Sequence, residues 1–163
     1  MTCLQRIVDL LEAAGVPHRI HGDTSTRTAD NQMEREQLPM RGVANVVVAL
    51  AAGYRPAMLV LPANRDVHVG GLLRVFGWAH LRVADEDEVR SLFPDCEVGA
   101  TPAVGNLYGV PVFLDEELAQ EPEITFRAGS HTQGVTIPTD AYERLVRPIR
   151  GRFAVPLEPD APE

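Results

Sequence analysis

Residues 43–62 read VANVVVALAAGYRPAMLVLP. Two apolar runs rich in β-branched residues, Val43 to Leu50 and Ala57 to Leu61, flank a connection that contains glycine and proline. This pattern predicts two strands joined as a hairpin, because β-branched residues favour strands while glycine and proline interrupt them. We expect both strands near the centre of a sheet.

Helices and further strands are predicted on both sides of the hairpin. Apolar residues at helical spacing predict a first helix over residues 4–14. Thr28 is placed as the N-cap of a second helix that extends to Leu38. Asp85 and Glu88 have the spacing of a capping pair at the start of a later helix. The remaining patterns predict helices over 67–76, 86–92 and 139–146, and strands over 18–21, 81–83, 110–114, 124–128 and 134–137.

The order of these elements favours a compact α/β domain of the α+β type, with a mixed, mostly antiparallel sheet and surrounding helices. A regular βαβα alternation is missing, and several connections are too short for parallel crossovers. A chain of 163 residues is long enough for one domain and short for two. We assign residues 1–153 to this domain and residues 154–163 to an acidic C-terminal tail, which we expect to be disordered from Pro156 onward.

The composition is ordinary for a globular protein. Of the residues, 45% are apolar, and no apolar run approaches the roughly 20 residues of a membrane span. The N-terminus lacks the features of a signal peptide, so we expect a cytoplasmic protein with no membrane partner; its oligomeric state is not indicated. A formal net charge of −8 disfavours nucleic acid at long range, so contact with RNA requires a local basic face. All fifteen basic residues are arginine, which excludes mechanisms that use a lysine amine.

A loop rich in glycine and proline, GATPAVGNLYGVP at residues 99–111, is the first candidate for function. It lacks the lysine of a phosphate-binding P-loop and the spacing of a dinucleotide fingerprint, so nucleotide binding is disfavoured. Its backbone N–H groups could instead bind a carbonyl or an oxyanion. A tight connection that needs turn residues explains the same composition equally well.

The other reactive side chains form no recognised catalytic pattern. Ser130 and His131 are adjacent, and neighbouring residues on a strand point to opposite faces, so they cannot pair with each other as nucleophile and base. A lone loop histidine is more often a capping or solvent-facing residue. Cys3 and Cys96 are interpreted as inert residues that form no ligand cluster, and the histidines have no ligand spacing, so no metal site is expected.

Three segments together resemble the YbaK/prolyl-tRNA synthetase-associated editing domain family: residues 61–63 (LPA), residues 96–118 (CEVGATPAVGNLYGVPVFLDEEL) and residues 126–132 (FRAGSHT). The likeness extends from the first helix to about Phe153. It implies a mixed α/β fold and hydrolysis of the ester bond in mischarged aminoacyl-tRNA, usually alanine or another small amino acid on tRNA for proline. It also implies a reaction without metal, cofactor or covalent intermediate. The implied partners are the aminoacylated 3′ end of tRNA and, as a further candidate, an aminoacyl-tRNA synthetase.

The same resemblance assigns residues to the site. Members of the family position the aminoacyl carbonyl with backbone groups of the glycine-rich loop, while water or the terminal hydroxyl of the tRNA attacks. An activated ester needs mainly orientation and a few hydrogen-bond donors, so a strong acid or base is not required. The implied catalytic residues are Asn45, Gly99, Ala100 and His131. The implied substrate-binding residues are Thr28, Pro102, Gly105, Arg127, Gly129 and Ser130.

Three places depart from the family pattern. The functional lysine of the family falls at Asn45, whose neutral amide cannot supply the same charge. Ala103 and Val104 follow Pro102 where a second proline and an aromatic residue are usual, which predicts a looser loop and a reshaped pocket. Arg127 occupies the usual asparagine position, where it would either restore a cationic contact to the terminal phosphate of tRNA or point outward as a solvated strand residue.

Three functions are compatible with these residues. The first is an aminoacyl-tRNA deacylase that acts in trans. The second is a catalytically impaired binding module for an aminoacyl or nucleotide-like ligand, which the replacement at Asn45 motivates. The third is a hydrolase of small esters or amides unrelated to tRNA, since the acidic balance does not indicate RNA binding. The first function requires residues 99–105 and 129–131 to face a common cavity.

Overall fold

The structure is a computed structural model that describes residues 2–22, 42–51, 55–68 and 81–156. Within them the helices are α1 (Cys3–Ala13), α2 (Glu86–Leu92), α3 (Glu116–Ala119) and α4 (Thr139–Val146), with one 3-10 turn at Gly105–Leu107. The strands are β1 (Arg19–His21), β2 (Ala44–Ala51), β3 (Arg55–Pro62), β4 (Arg65–Val67), β5 (Arg82–Val83), β6 (Val112–Asp115), β7 (Glu123–Arg127), β8 (Gly134–Pro138), β9 (Ile149–Gly151) and β10 (Ala154–Pro156). None of these described helices has the length and apolar character needed to cross a membrane.

The predicted hairpin lies inside a five-stranded sheet. β2 and β3 pair antiparallel along their whole length, from Ala44 opposite Pro62 to Ala51 opposite Arg55. β5 adds to β2 antiparallel, whereas β6 and β9 extend the other side in parallel, giving the order β5-β2-β3-β6-β9. The hairpin and the mixed sheet predicted from the sequence are therefore confirmed.

A second sheet is antiparallel throughout and has the order β1-β8-β7. It meets the first sheet where Val43, just before β2, forms an isolated parallel bridge with Thr125 of β7. β10 and β4 form a separate antiparallel pair. The bridge at Val43 brings the start of β2 against β7.

Helix α1 covers the core with one face. Cys3, Ile7 and Leu11 are buried at a spacing of one helical turn, as an amphipathic helix requires. The Thr2 side chain caps the helix by accepting from the N–H of Gln5. Among the described residues, the largest fully buried side chains include Tyr142, Phe93, Phe126 and Phe153. Burying each such side chain stabilises the fold by roughly 1.5–3 kcal/mol.

The structure changes two predicted boundaries. The helix predicted over 67–76 does not begin at Val67, because residues 65–67 form β4 and pair with residues 154–156; residues 69–76 lie outside the described part. Residues 154–156, which the sequence placed in an acidic tail, form β10 and belong to the fold. The second predicted helix, from Thr28 onward, also lies outside the described residues.

Candidate functional site

A tight turn at residues 97–100 forms the centre of the candidate site. The N–H of Ala100 donates to the carbonyl of Glu97 over 3.0 Å, and Gly99 between them has a φ of 87°. A positive φ at the third of four residues is typical of a type II turn, which favours glycine there. Glu97 and Gly99 are exposed at this turn.

Four hydrogen bonds attach the turn to the segment around Gly129. The N–H of Gly129 donates to the carbonyl of Ala100 over 2.9 Å, and its carbonyl accepts from the N–H of Glu97 over 2.8 Å. The N–H of His131 donates to the Glu97 carboxylate, and the His131 ring donates to the Val98 carbonyl, each over 2.7 Å. The structure thus brings together two segments that are thirty residues apart in the chain and that the sequence analysis placed in one site.

The two segments are in direct contact at one point. The His131 ring lies over Gly99, where an added Cβ would be 3.2 Å from Cε1 of the ring. An open cleft of about 510 Å³ beside α1 and α4 includes none of these residues.

The hydrogen bond to Val98 determines the tautomer of His131. A carbonyl oxygen can only accept, so Nε2 of the ring must carry the proton in this bond. In the neutral ring Nδ1 is then unprotonated and can accept a hydrogen bond or a proton. His131 therefore presents an acceptor beside the exposed Gly99.

Three of the loop residues assigned to the site lie inside the protein. Ala100, Pro102 and Gly105 are all buried. The N–H of Ala100 donates within the turn, and the carbonyl of Gly105 accepts from the N–H groups of Tyr108 and Val110. These residues support the turn from the inside and do not form its outer face.

The loop that follows the turn is held firmly. Ala103 and Val104 are fully buried in the core. The Tyr142 hydroxyl donates to the carbonyl of Ala103 over 2.6 Å, and the Asn106 amide donates to the carbonyl of Leu145 over 2.9 Å. The looser loop predicted from Ala103 and Val104 is therefore not observed; small apolar side chains fit here because the position is internal.

Asn45 and Arg127 lie where the two sheets meet. Each stands two residues beyond the parallel bridge between Val43 and Thr125, Asn45 on β2 and Arg127 at the end of β7. Because side chains alternate along a strand, Asn45 points to the same side of β2 as Val43, and Arg127 to the same side of β7 as Thr125. Asn45 is exposed, whereas Arg127 is half-buried, and burial lowers the pKa of its guanidinium. Arg127 is thus not the fully solvated strand residue of the plainer interpretation.

Ser130 belongs to a turn of its own. Its Oγ lies 2.7 Å from Oγ1 of Thr132 and accepts from the N–H of Thr132 over 3.1 Å. This arrangement agrees with the prediction that Ser130 and His131 do not pair as nucleophile and base. Thr28, the remaining residue assigned to substrate binding, lies outside the described residues.

Glu97 and Val98 are the site residues that sequence analysis missed. Together they hold His131, one through its carboxylate and the other through its carbonyl. The signal was present, since both stand directly before Gly99 in the segment CEVGATP. The role of Val98 could not be predicted, because a backbone acceptor such as its carbonyl has no residue-type signature.

The structure also joins the two cysteines, which corrects the expectation that they form no ligand cluster. The sulfur atoms of Cys3 and Cys96 and a carboxylate oxygen of Asp95 all lie within 4.8 Å of one another. The Tyr108 hydroxyl is 3.2 Å from the Cys96 sulfur and 3.7 Å from the Cys3 sulfur, and it donates to Asp95 over 3.0 Å. Arg6 donates to the other oxygen of Asp95 over 2.5 Å. We call these five residues the thiol cluster.

Hydrogen bonds and burial inside the thiol cluster shift the pKa values of its side chains in different directions. The hydrogen bond with Cys96 lowers the pKa of Cys3, while the same bond, together with burial, raises the pKa of Cys96. Burial and the hydrogen bond with Cys96 raise the pKa of Tyr108. Burial acts to raise the pKa of Asp95, but hydrogen bonds from Tyr108 and Arg6 lower it on balance.

The thiol cluster lies directly behind the candidate site. A Cβ on Gly129 would fall 2.5 Å from Cβ and 2.7 Å from the sulfur of Cys3. Asp95 and Cys96 also precede the turn at residues 97–100. The cluster and the site thus share one segment of chain and one packed glycine.

Comparison with known families gives one extended match. The model of the family described as "Aminoacyl-tRNA editing domain" matches residues 23–145, which is most of the chain. No curated protein matches the sequence significantly.

Solved structures resemble the fold closely at low sequence identity. The crystal structure of a hypothetical protein has a TM-score of 0.80 at 14% identity, covering 92% of this chain and 99% of that one. The crystal structure of "a putative trans-editing enzyme for prolyl tRNA synthetase" has a TM-score of 0.78 at 21% identity, covering 95% and 98%. A "putative signal transduction protein" from Marinobacter aquaeolei VT8 has a TM-score of 0.69 at 18% identity, covering 91% of this chain and 30% of that one. Identities this low show that the fold is shared and no more.

Proposed function

Because this chain belongs to the aminoacyl-tRNA editing domain family, we propose that it hydrolyses the ester bond of mischarged aminoacyl-tRNA, with a small amino acid on tRNA for proline as its substrate. It acts in trans in the cytoplasm, on tRNA released by a synthetase or still bound to one. The observation that carries the proposal is the attachment of the turn at Gly99 to His131. The solved neighbour with a prolyl-tRNA synthetase in its description supports the choice of tRNA.

The outer face of this turn suits a reaction that depends on orientation. The aminoacyl group lies beside the His131 ring at the exposed turn, where Gly99 adds no side chain of its own. Nδ1 of His131 accepts a hydrogen bond from the attacking water or from the free hydroxyl of the terminal ribose, and so directs it at the ester carbonyl. A well-placed acceptor of this kind contributes about 100-fold or more to the rate.

A panel of charged tRNAs tests the proposal. Purified protein is incubated with alanyl-, cysteinyl- and seryl-tRNA for proline, and with correctly charged prolyl-tRNA as the specificity control. We expect hydrolysis of at least one mischarged species above its spontaneous rate, and a loss of about 100-fold in His131→Ala. Hydrolysis no faster than the uncatalysed rate for every species would refute the proposal. An activity on small esters that does not change with salt would favour the hydrolase unrelated to tRNA.

We further propose that Arg127 supplies the charge that the family lysine supplies elsewhere. The resemblance places a cationic lysine at position 45 and a neutral asparagine at position 127. In this chain the neutral amide is at position 45 (Asn45) and the cationic side chain at position 127 (Arg127). Each residue stands two positions beyond the bridge between Val43 and Thr125. The positive charge has moved to the neighbouring strand, from which a guanidinium can bind the terminal phosphate of the tRNA.

Exchanging the two residues tests this assignment. We expect Arg127→Asn to lower kcat/KM by about 10–100-fold, because a charged hydrogen bond of about 1.5–3 kcal/mol is lost. Adding Asn45→Lys to that variant should recover most of the loss. Arg19→Gln, which removes an exposed arginine from β1, is the control and should leave kcat/KM within about twofold. An unchanged rate in Arg127→Asn, or no recovery in the double variant, would contradict the assignment.

Asn45 also favours a second candidate function. If the chain retains the fold of the family without its catalytic efficiency, it would bind an aminoacylated 3′ end and not hydrolyse it. A non-hydrolysable aminoacyl-adenosine analogue separates the two functions. Binding of the analogue together with no turnover of any charged tRNA would establish the binding module and exclude the deacylase.

A further inference from the structure

The thiol cluster has the composition and shape of a metal site. Four of its side-chain atoms lie close together: the sulfurs of Cys3 and Cys96, Oδ1 of Asp95 and the Tyr108 hydroxyl. The edges from the hydroxyl are 3.0 Å to Asp95, 3.2 Å to Cys96 and 3.7 Å to Cys3, and the edge from Cys96 to Asp95 is 3.5 Å. The remaining two edges, both from Cys3, are within 4.8 Å.

The four edges with a stated length are close to those around a tetrahedral zinc ion. Zn–S bonds of about 2.3 Å and Zn–O bonds of about 2.0 Å give edges of about 3.8 Å between sulfurs, 3.5 Å between sulfur and oxygen, and 3.3 Å between oxygens. Thiolate and carboxylate groups are ligands that Zn²⁺ accepts readily. A bound ion would draw the Cys3 sulfur towards Cys96 and Asp95, from which it lies within 4.8 Å.

Arg6 binds Asp95 from outside the four candidate ligands. Its guanidinium donates to Oδ2 of Asp95, which leaves Oδ1 for the metal, and to the carbonyl of Leu107 over 2.9 Å. Outer hydrogen bonds of this kind orient a ligating carboxylate. Two thiolates and one carboxylate carry three negative charges, and a divalent cation with Arg6 neutralises them. Asp95 is exposed and Cys96 is half-buried, so the cluster has an entrance on the surface.

We propose that Cys3, Cys96, Asp95 and Tyr108 form a binding site for a divalent cation that prefers sulfur ligands, with Zn²⁺ as the physiological ion. Binding releases one proton from each thiol and fixes the start of α1 against the segment that precedes the turn at residues 97–100. The site is structural, because its ligands face the back of Gly129 and not the outer face of the turn. The proposal goes beyond the editing function and does not depend on it.

Cobalt(II) provides the test, because its thiolate complexes absorb in the near ultraviolet and the sequence contains only two cysteines. Reduced, chelator-treated full chain is titrated with Co²⁺, and then with Zn²⁺ in competition. We expect a thiolate-to-cobalt band that saturates at one equivalent and is displaced by Zn²⁺. Zn²⁺ should also raise the melting temperature, since it binds the folded state.

Four variants assign the ligands. Cys3→Ser and Cys96→Ser should each reduce the band by about half and weaken Zn²⁺ binding by more than about 100-fold, while Tyr108→Phe and Arg6→Gln should weaken it about 10–100-fold. Asp9→Asn, an exposed carboxylate on α1 outside the cluster, is the matched control and should bind like the original chain. Circular dichroism of each metal-free variant shows whether it folds.

The proposal is overturned if no thiolate band appears at millimolar Co²⁺, or if the band persists undiminished in Cys3→Ser. It is also overturned if air oxidation joins the two cysteines as a disulfide at the same rate with and without Zn²⁺, because a bound metal protects its thiolates. None of these readouts uses tRNA, so they stand apart from the test of the editing function.

Discussion

At the scale of single residues, Gly129 combines two constraints. Its φ is 87°, and an added Cβ would overlap both the Cβ and the sulfur of Cys3. The sequence placed Gly129 in the site because of its segment, and neither constraint could be foreseen, since the partner lies in α1 at the other end of the chain. Gly99 differs, because its neighbour is the movable ring of His131.

We expect Gly129→Ala to lower the free energy of unfolding by about 2–4 kcal/mol, because backbone strain adds to overpacking against Cys3. Gly109→Ala is the matched control: its φ is 66°, but nothing lies within 4 Å of the added Cβ, so it carries the strain alone. Urea denaturation measures both losses. Equal losses in the two variants would show that the contact with Cys3 is unimportant.

The residues of the site were predictable to different degrees. His131 and Gly99 follow from the resemblance, and the structure places them in contact. Their hydrogen-bonding role could not be predicted, because it depends on the carbonyl of Val98 and the carboxylate of Glu97, whose positions are set by a turn. The thiol cluster could not be predicted either, because Cys3 and Cys96 are far apart in the sequence and only the fold brings them together.

At the scale of elements, α2 shows that local sequence can determine a helix. Both hydrogen bonds of its capping box are present, between Asp85 and Glu88 at 2.9 Å, and its bounds agree with the prediction. The α4 bounds also agree. The helix predicted from Val67 was wrong at its start, because pairing of β4 with β10 overrides a local preference.

The capping box makes the stability of α2 dependent on pH. Hydrogen bonds from Arg82, and then from the N–H of Asp85, lower the pKa of Glu88 from 4.5 to about 2. A carboxylate whose pKa is lower in the folded state stabilises the fold fully above its unfolded pKa and loses that effect as the pH falls through the folded pKa. The contribution of Glu88 is therefore complete above about pH 4.5 and declines towards pH 2.

We expect Glu88→Gln to have a lower urea midpoint than the original chain at pH 6, and the difference to shrink steadily between pH 4.5 and pH 2. Glu86→Gln, two residues earlier on the exposed surface of α2, is the control and should show a smaller difference at pH 6. A difference for Glu88→Gln that stays constant down to pH 2 would contradict the assignment.

At the scale of the whole molecule, Asp115 links parts of the chain that no local pattern connects. It is buried at the end of β6, where one carboxylate oxygen accepts from the N–H groups of Phe153 and Ala154, each over 2.9 Å. The other oxygen accepts from the N–H of Glu117 and caps α3. Sequence patterns predicted β6 but neither α3 nor β10, and they could not predict that a single carboxylate joins the three.

We expect Asp115→Asn to lower the free energy of unfolding by about 2 kcal/mol, because three charge-assisted hydrogen bonds become weaker and one amide N–H₂ faces donors. Asp140→Asn, on the exposed side of α4, is the control and should change stability by less than about 0.5 kcal/mol. Thermal or urea unfolding provides the measurement. A loss in Asp115→Asn no larger than in the control would remove Asp115 from this role.

The pairing of β9 with β6, and of β10 with β4, has a consequence for biosynthesis. Residues 149–156 are translated after every strand they complete, and β1 must likewise wait for β8. A nascent chain on the ribosome therefore exposes unpaired edges of both sheets until almost all of it has emerged. Sheets closed by such long-range pairing fold slowly, so premature termination upstream of residue 149 should yield fragments that associate with chaperones or aggregate.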